Sequence, residues 1–77
     1  MPSRLAQLVA DVLEIPVAEI SPDTGPATTA QWVSLKHLQI VAAVEDAYRV
    51  SFTPREIRAI RSVGDLSEFL RGRDVAE

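Results

Sequence analysis

The chain has no cysteine, a single histidine and only four aromatic residues. Without cysteine there is no disulfide and no thiolate nucleophile, and one histidine is too few for a typical structural metal site. No apolar run approaches the roughly 20 residues that span a bilayer. The start, Met1-Pro2-Ser3-Arg4, also lacks the apolar stretch of a secretory signal. We therefore expect a cytoplasmic, monomeric protein that binds no metal and no membrane and whose core comes from helix packing.

The net charge of the chain is small, and the charged residues are unevenly distributed along it. The 77 residues carry a net charge of −3, which argues against a sequence-independent grip on nucleic acid. Residues 51–61 nevertheless hold Arg55, Arg58 and Arg61 against one glutamate. We interpret this group as a solvated helix face. The alternative, a small nucleic-acid binder that uses these arginines, is disfavoured because no basic recognition helix accompanies them.

The apolar spacing predicts a first helix from Ser3, as N-cap, to about Glu14. Residues 16–30 are rich in proline, glycine and threonine and predict a loop much longer than the usual connection. A loop of that length in a small domain needs anchors, and Val17 and Ile20 are the apolar candidates. No alternating apolar pattern predicts a strand.

Three further helices follow the loop. The second is predicted from Ser34 to Tyr48 or Arg49, with an apolar face made of Leu35, Leu38, Ile40, Val41, Val44 and Tyr48. The third opens with the capping-box sequence Thr53-Pro54-Arg55-Glu56 and points Ile57 and Ile60 inward. The fourth starts at Ser62, buries Leu66, Phe69 and Leu70, and ends near residues 71–73, with residues 74–77 frayed. The fold class is thus all-α, a small four-helix bundle with a long first loop and a short third helix, in one domain of residues 1–77.

Ser34 is the best candidate for a chemical role. It lies at the predicted start of the second helix, where free N–H groups and partial positive charge collect. Serine is also among the best N-caps, so a structural explanation competes. Ser34 follows the long loop directly, and Trp32 and Val33 precede it at what should be an exposed corner. For Trp32 the competing interpretation is core packing beneath the loop.

Four blocks of sequence, in order and at matching spacing, resemble the acyl carrier protein family. They are Ser34-Leu35, Val44-Glu45-Asp46-Ala47-Tyr48, Thr53-Pro54-Arg55-Glu56-Ile57 and Ser62-Val63-Gly64-Asp65-Leu66. The resemblance covers nearly the whole chain, since residues 3–30 add the first helix and long loop of that family. It implies that Ser34 carries a covalent 4′-phosphopantetheine arm. The domain itself then catalyses nothing.

The resemblance also implies a working cycle. The arm holds an acyl or aminoacyl group as a thioester and presents it to partner enzymes. The implied partners are a phosphopantetheinyl transferase and acyl-loading and acyl-transfer enzymes such as a ligase, ketosynthase or acyltransferase. The pathway would be specialised biosynthesis of the polyketide, nonribosomal peptide or fatty-acid type. Leu35, Leu38, Ile57 and Ile60 are expected to shelter the acyl chain, although Ile57 and Ile60 also fit plain core positions.

Two departures from the family pattern bear on function. Val33 stands where the family has aspartate, which should cost the helix roughly 0.5–2 kcal/mol unless Thr28 or Thr29 starts it earlier. Residues 34–50 are neutral, whereas family members often present an acidic face on this helix. We expect a dedicated partner that recognises shape and a few contacts. The predicted docking residues are Trp32, Val33, Leu35, Lys36, His37, Gln39 and Ile57.

Two other functions stay open at this point. A carrier-like adaptor that lost its modification along with the aspartate would explain Val33. A hydrolase built on Ser34 and His37 is weaker, because no oxyanion donors or acid partner accompany them.

Overall fold

The computed structural model describes residues 3–75, and within them the regular secondary structure is entirely helical. The helices are α1 (Arg4–Leu13), α2 (Ser34–Tyr48), α3 (Pro54–Ala59) and α4 (Val63–Gly72), and a 3₁₀ turn (Val17–Glu19) interrupts the first connection. This confirms the predicted small bundle with a long first loop and a short third helix. Residues 1–2 and 76–77 of the predicted domain lie outside the described residues.

The ends of α1 follow from local hydrogen bonding. The Ser3 hydroxyl accepts the N–H of Ala6 at 3.0 Å, which confirms Ser3 as the N-cap. At the other end Glu14 is left-handed, with φ of 59°, and the N–H of Ile15 bonds the carbonyl of Ala10 at 3.1 Å. This Schellman-type closure satisfies carbonyls that the helix leaves free.

The same closure ends α4 and corrects one expectation. Asp74 has φ of 56°, and the N–H of Val75 bonds the carbonyl of Leu70 at 2.9 Å. Val75 packs partly buried against the core. Fraying from residue 74 onward was therefore wrong for Asp74 and Val75, because the turn places an apolar side chain back on the bundle. Residues 76–77 of that prediction lie outside the described residues.

The core draws on α1, α2 and α4 and on the segments between the helices, and α3 packs only its partly buried Ile57 against it. The buried apolar residues of the core are Leu5, Ala6, Val9, Ala10, Leu13, Ile20, Trp32, Ile40, Val41, Val44, Tyr48, Phe52, Ile60, Val63, Leu66 and Leu70. The predicted apolar face of α2 was wrong in its first two members, since Leu35 and Leu38 are 64% and 57% exposed. Residues on a helix advance by about 100° each, so Leu35 and Leu38 lie more than about 100° from the centre of the buried stripe.

The long loop is held at two places. Ile20 is buried and Val17 is half-buried against the core, which confirms both as anchors. Further along, the loop bonds the start of α4: Val63 donates to the Thr24 carbonyl and Gly64 to the Pro22 carbonyl, each at 2.9 Å. The loop therefore reaches Ser34 along a route fixed by main-chain hydrogen bonds.

Gly25 lets that loop approach the segment just before α4 closely. A Cβ at Gly25 would overlap the Arg61 carbonyl oxygen and lie 2.9 Å from its carbon. Only a residue without a side chain fits there unless the backbone shifts, because the atoms that a Cβ would meet are backbone atoms of Arg61 and Ser62.

The short helix α3 is held by its capping box and by the end of α4. Thr53 and Glu56 exchange hydrogen bonds at 2.8 and 3.2 Å, as predicted. Arg73 donates to both Glu56 carboxylate oxygens at 3.3 Å, and its guanidinium lies 4.2 Å from the centre of the Phe69 ring. The backbone hydrogen bond from Thr53 and the nearby charge of Arg73 lower the pKa of Glu56.

Two absences hold for residues 3–75. None of the four helices combines the length and apolar character needed to cross a membrane. No group of three or more potential metal ligands comes together in that part of the chain.

Candidate functional site

Ser34 is the first residue of α2, and its hydroxyl is available. The residue is exposed, and within residues 3–75 its Oγ forms no hydrogen bond. The N-cap is Val33, whose side chain makes no capping bond, and the first helical bond runs from the His37 N–H to the Val33 carbonyl at 2.9 Å. Ser34 is therefore not a cap, which removes the structural explanation for it.

The helix does not begin earlier at a threonine. The Thr28 hydroxyl accepts the N–H of Gly25 at 3.1 Å and donates to the Asp23 carbonyl at 3.0 Å, so it belongs to a loop turn. The alternative that Thr28 or Thr29 starts the helix earlier was therefore wrong. The first-turn N–H groups of α2 consequently receive no side-chain cap, and Val33 places no negative charge beside Ser34.

Trp32 lies in the core, and the expectation that it occupies an exposed corner was wrong. Its side chain is 3% exposed, and its indole N–H donates to His37 Nδ1 at 2.9 Å. The competing interpretation, core packing beneath the loop, is the correct one. Trp32 contributes to the site by holding the residues that follow it against the bundle.

His37 links three segments of the fold. Its Nδ1 accepts from Trp32, so Nε2 carries the proton and donates to the Ile57 carbonyl at 2.9 Å. The two bonds join the end of the loop, α2 and α3 in one chain. Because both ring nitrogens have partners and neither partner is Ser34, His37 is not a base for that hydroxyl. This geometry argues against the hydrolase.

We predicted His37 as a surface docking residue, whereas the structure half-buries it. A signal for this was present in the sequence. His37 precedes Ile40, Val41 and Val44 by three, four and seven residues, which places it on the buried stripe of α2. A histidine in such a position needs hydrogen-bond partners, and the indole and a carbonyl supply them.

An open groove of about 570 Å³ runs between the start of α2 and α3. Its lining residues are Pro26, Trp32, Val33, Ser34, His37, Leu38, Ile57 and Arg58. Of the residues expected to shelter an acyl chain, Leu38 and Ile57 line this groove. Leu35 lies outside it on the exposed surface, and Ile60 is a core residue at 3% exposure. Ser34 therefore opens onto a mostly apolar surface.

The other predicted docking residues surround Ser34 in different ways. Val33 is 56% exposed and, with the exposed Leu35 and Leu38, forms an apolar patch on both sides of Ser34. Gln39 is exposed. Lys36 Nζ lies 3.4 Å from the Glu14 carboxylate, a surface ion pair of about 0–1 kcal/mol that ties α2 to the end of α1.

The three arginines of residues 51–61 are all exposed, but only Arg55 and Arg58 lie on the predicted helix face, since Arg61 follows the end of α3. Arg58 lines the groove that begins at Ser34. Arg58 and Arg61 together line an adjoining groove of about 350 Å³. Sequence reasoning did not connect these arginines with Ser34, because α2 and α3 meet only through the tertiary packing.

Comparison with known proteins agrees with the fold. No family model matches the chain. The chain is similar to an acyl carrier protein of Acidothermus cellulolyticus, with 24% identity over 72 residues that cover 94% of this chain and 86% of that protein. This distant likeness, which extends through the loop and all four helices, supports an acyl-carrier-like chain.

Proposed function

We propose that the chain is a carrier protein that holds an acyl or aminoacyl group on a 4′-phosphopantetheine arm attached to Ser34. The observation that carries the proposal is the state of Ser34: an exposed hydroxyl without a partner in residues 3–75, at an uncapped helix start, opening onto an apolar groove. The likeness to an acyl carrier protein supports the same function. The domain contributes no catalytic group of its own.

The residues present fit such an arm. A phosphodiester on Ser34 is an anion, and the uncapped first-turn N–H groups of α2 favour an anion at that position. Val33 adds no carboxylate that would repel it. The groove walls formed by Val33, Leu38 and Ile57 offer apolar surface to the remainder of the arm. When attached, the arm supplies a terminal thiol that carries the acyl group as a reactive thioester.

Ser34 Oγ takes part in one covalent step, its own modification. It attacks the β-phosphorus of coenzyme A, the bond from that phosphorus to the bridging oxygen breaks, and adenosine 3′,5′-bisphosphate leaves. The proton of Ser34 passes to a base of the transferase, since both nitrogens of His37 are engaged with Trp32 and Ile57. The partners of this proposal are that transferase and the acyl-loading and acyl-transfer enzymes of a biosynthetic pathway.

The exposed residues around Ser34 form the docking surface for partner enzymes. Val33, Leu35 and Leu38 present apolar side chains, and Gln39 adds a polar one. The buried Trp32 is omitted from this surface. A partner that fits the patch recognises shape, because the one charged side chain in the first two turns of α2, Lys36, is already paired with Glu14.

A second candidate rests on Val33. If the enzyme that modifies the chain requires the family's aspartate, the present sequence is an unmodified carrier-like adaptor. The exposed apolar patch on both sides of Ser34 is equally suited to that role.

Measurement of the intact mass distinguishes the modified carrier from the unmodified adaptor. The chain is incubated with coenzyme A, magnesium and a broad-specificity phosphopantetheinyl transferase, beside Ser34→Ala and Val33→Asp variants. The carrier predicts a gain of about 340 Da, the mass of one phosphopantetheine arm, in the parent and none in Ser34→Ala. A gain in Val33→Asp alone would reject modification of the present sequence and favour the adaptor.

A further inference from the structure

The groove at Ser34 continues into a second groove that is basic. The two share Pro26, His37 and Arg58, and the second adds Ala27, Ile60 and Arg61. A path therefore leads from Ser34, past the apolar residues of α2 and α3, to Arg58 and Arg61. No aspartate or glutamate lines either groove.

Within residues 3–75 the guanidinium groups of Arg58 and Arg61 have no hydrogen-bond or ion-pair partner. Four of the eight lysine and arginine side chains do have one. Among these four, Arg4 donates to the main-chain carbonyl of Ala47, Lys36 pairs with Glu14, Arg71 with Glu68 and Arg73 with Glu56. The side chains of Arg58 and Arg61 form no such bond in that part of the chain. Asp65 accepts the main-chain N–H of Arg61 at 2.8 Å, and no ion pair joins its carboxylate to the side chain of either arginine within residues 3–75.

Resting on the proposed function, we propose that the acyl group carried on Ser34 ends in a carboxylate, which pairs with Arg58 and Arg61 while its methylene chain lies in the apolar groove. A methyl terminus would gain nothing from the two guanidinium groups. A carboxylate gains charge-assisted, fork-shaped hydrogen bonds. An exposed ion pair is weak between free molecules, but the arm holds the carboxylate nearby at an effective concentration on the order of millimolar.

The test compares two acyl chains of equal length that differ at one end. A broad-specificity transferase loads Ser34 from adipoyl-coenzyme A or from hexanoyl-coenzyme A, and intact mass verifies each product. Nitrogen-15 spectra then follow the side-chain Nε–H signals of Arg58 and Arg61 and the indole N–H of Trp32. We expect both chains to shift the Trp32 signal, by different amounts because only the adipoyl chain is held at its far end, and the adipoyl chain alone to shift the two arginine signals.

Variants distinguish an ion pair between the carboxylate and the arginines from an acyl chain that merely lies near them. In Arg58→Gln combined with Arg61→Gln, the two chains should give the same Trp32 shift. Arg55→Gln is the matched control, because Arg55 is an exposed arginine of α3 that lines neither groove. It should preserve the difference. Salt at about 1 M, where the Debye length is about 3 Å, should reduce the arginine shifts.

Several outcomes would overturn the inference. Equal spectra for the two loaded chains, or an adipoyl effect that survives the double variant, would show that no carboxylate reaches the arginines. Arginine shifts that arise only when a partner enzyme is added would assign the two guanidinium groups to that protein. Absence of any mass gain would count against the proposed function itself, whereas a normal gain with equal spectra would reject this inference alone.

Discussion

Replacement of Val33 by aspartate should stabilise the protein. Val33 occupies the N-cap of α2 with the extended backbone typical of a cap, φ of −88° and ψ of 173°, yet its side chain caps nothing. An aspartate there needs no change of backbone to accept a first-turn N–H group. Val33 is 56% exposed, so the valine surrenders little buried surface when it is replaced.

The net gain follows from two opposing contributions. A capping oxygen in place of an apolar side chain adds about 1–2 kcal/mol, the upper end including the attraction of a carboxylate to the helix start. Loss of the part of the valine that is buried removes about 0.5–1 kcal/mol. The free energy of unfolding should therefore rise by about 0–1.5 kcal/mol, with a central value of about 0.75 kcal/mol. For a domain with a urea dependence near 1 kcal/mol/M, that central value raises the midpoint by about 0.75 M.

Urea unfolding followed by Trp32 fluorescence measures this gain. Val33→Ala removes the buried methyl groups without adding a cap, and Val33→Asn adds a cap without a charge. At neutral pH we expect Val33→Asp to exceed Val33→Asn slightly and Val33→Ala clearly. The carboxylate contribution is present above its unfolded pKa of about 3.9 and is lost as pH falls through the lower folded-state value. A Val33→Asp protein no more stable than Val33→Ala would refute the argument for an uncapped helix.

Three further changes test the parts of the fold that hold the site, by urea unfolding measured with circular dichroism. Gly25→Ala should lower the unfolding free energy by about 2–4 kcal/mol, because the added Cβ overpacks the contact with the segment just before α4 and strains its main-chain bonds. His37→Ala should cost about 2–4 kcal/mol, because it leaves the buried Trp32 indole N–H without a partner. Glu56→Gln should lower stability at neutral pH and flatten its decline in acid. The native carboxylate has a lowered pKa, so its contribution is present above the ordinary value and lost as pH falls through the lowered one.

For each of these three substitutions, a particular result would contradict the prediction. Gly72→Ala, at the end of α4 with open space around it, should be neutral or stabilising by up to about 1 kcal/mol. Equal effects of the two glycine changes would contradict the close approach at Gly25. Combination of His37→Ala with Trp32→Phe should be less destabilising than the sum of both, and full additivity would mean that the two rings do not interact. An unchanged acid profile in Glu56→Gln would assign the decline to other carboxylates.

Hydrogen bonds between near neighbours in the chain were predictable from the sequence. The caps at Ser3, Thr53 and Ser62 each join a side chain to an N–H three residues further on. Such bonds depend only on residue type and spacing, which the sequence contains. For the same reason the sequence determined the number of helices, their approximate ends and the position of Ser34 at the start of one of them.

The neighbours of that serine depended on packing between distant segments. His37 finds its second partner at Ile57, twenty residues away, and it accepts the N–H that Trp32 carries into the core. Leu35 and Leu38 are as apolar as the residues of the core, yet they are exposed because α2 has a single stripe that contacts the other helices. Arg58 reaches the groove of Ser34 through the approach of α3 to α2. The sequence thus determined where the hydroxyl lies, and the tertiary structure decided which side chains surround it, because helix spacing specifies a face but not the element that will cover it.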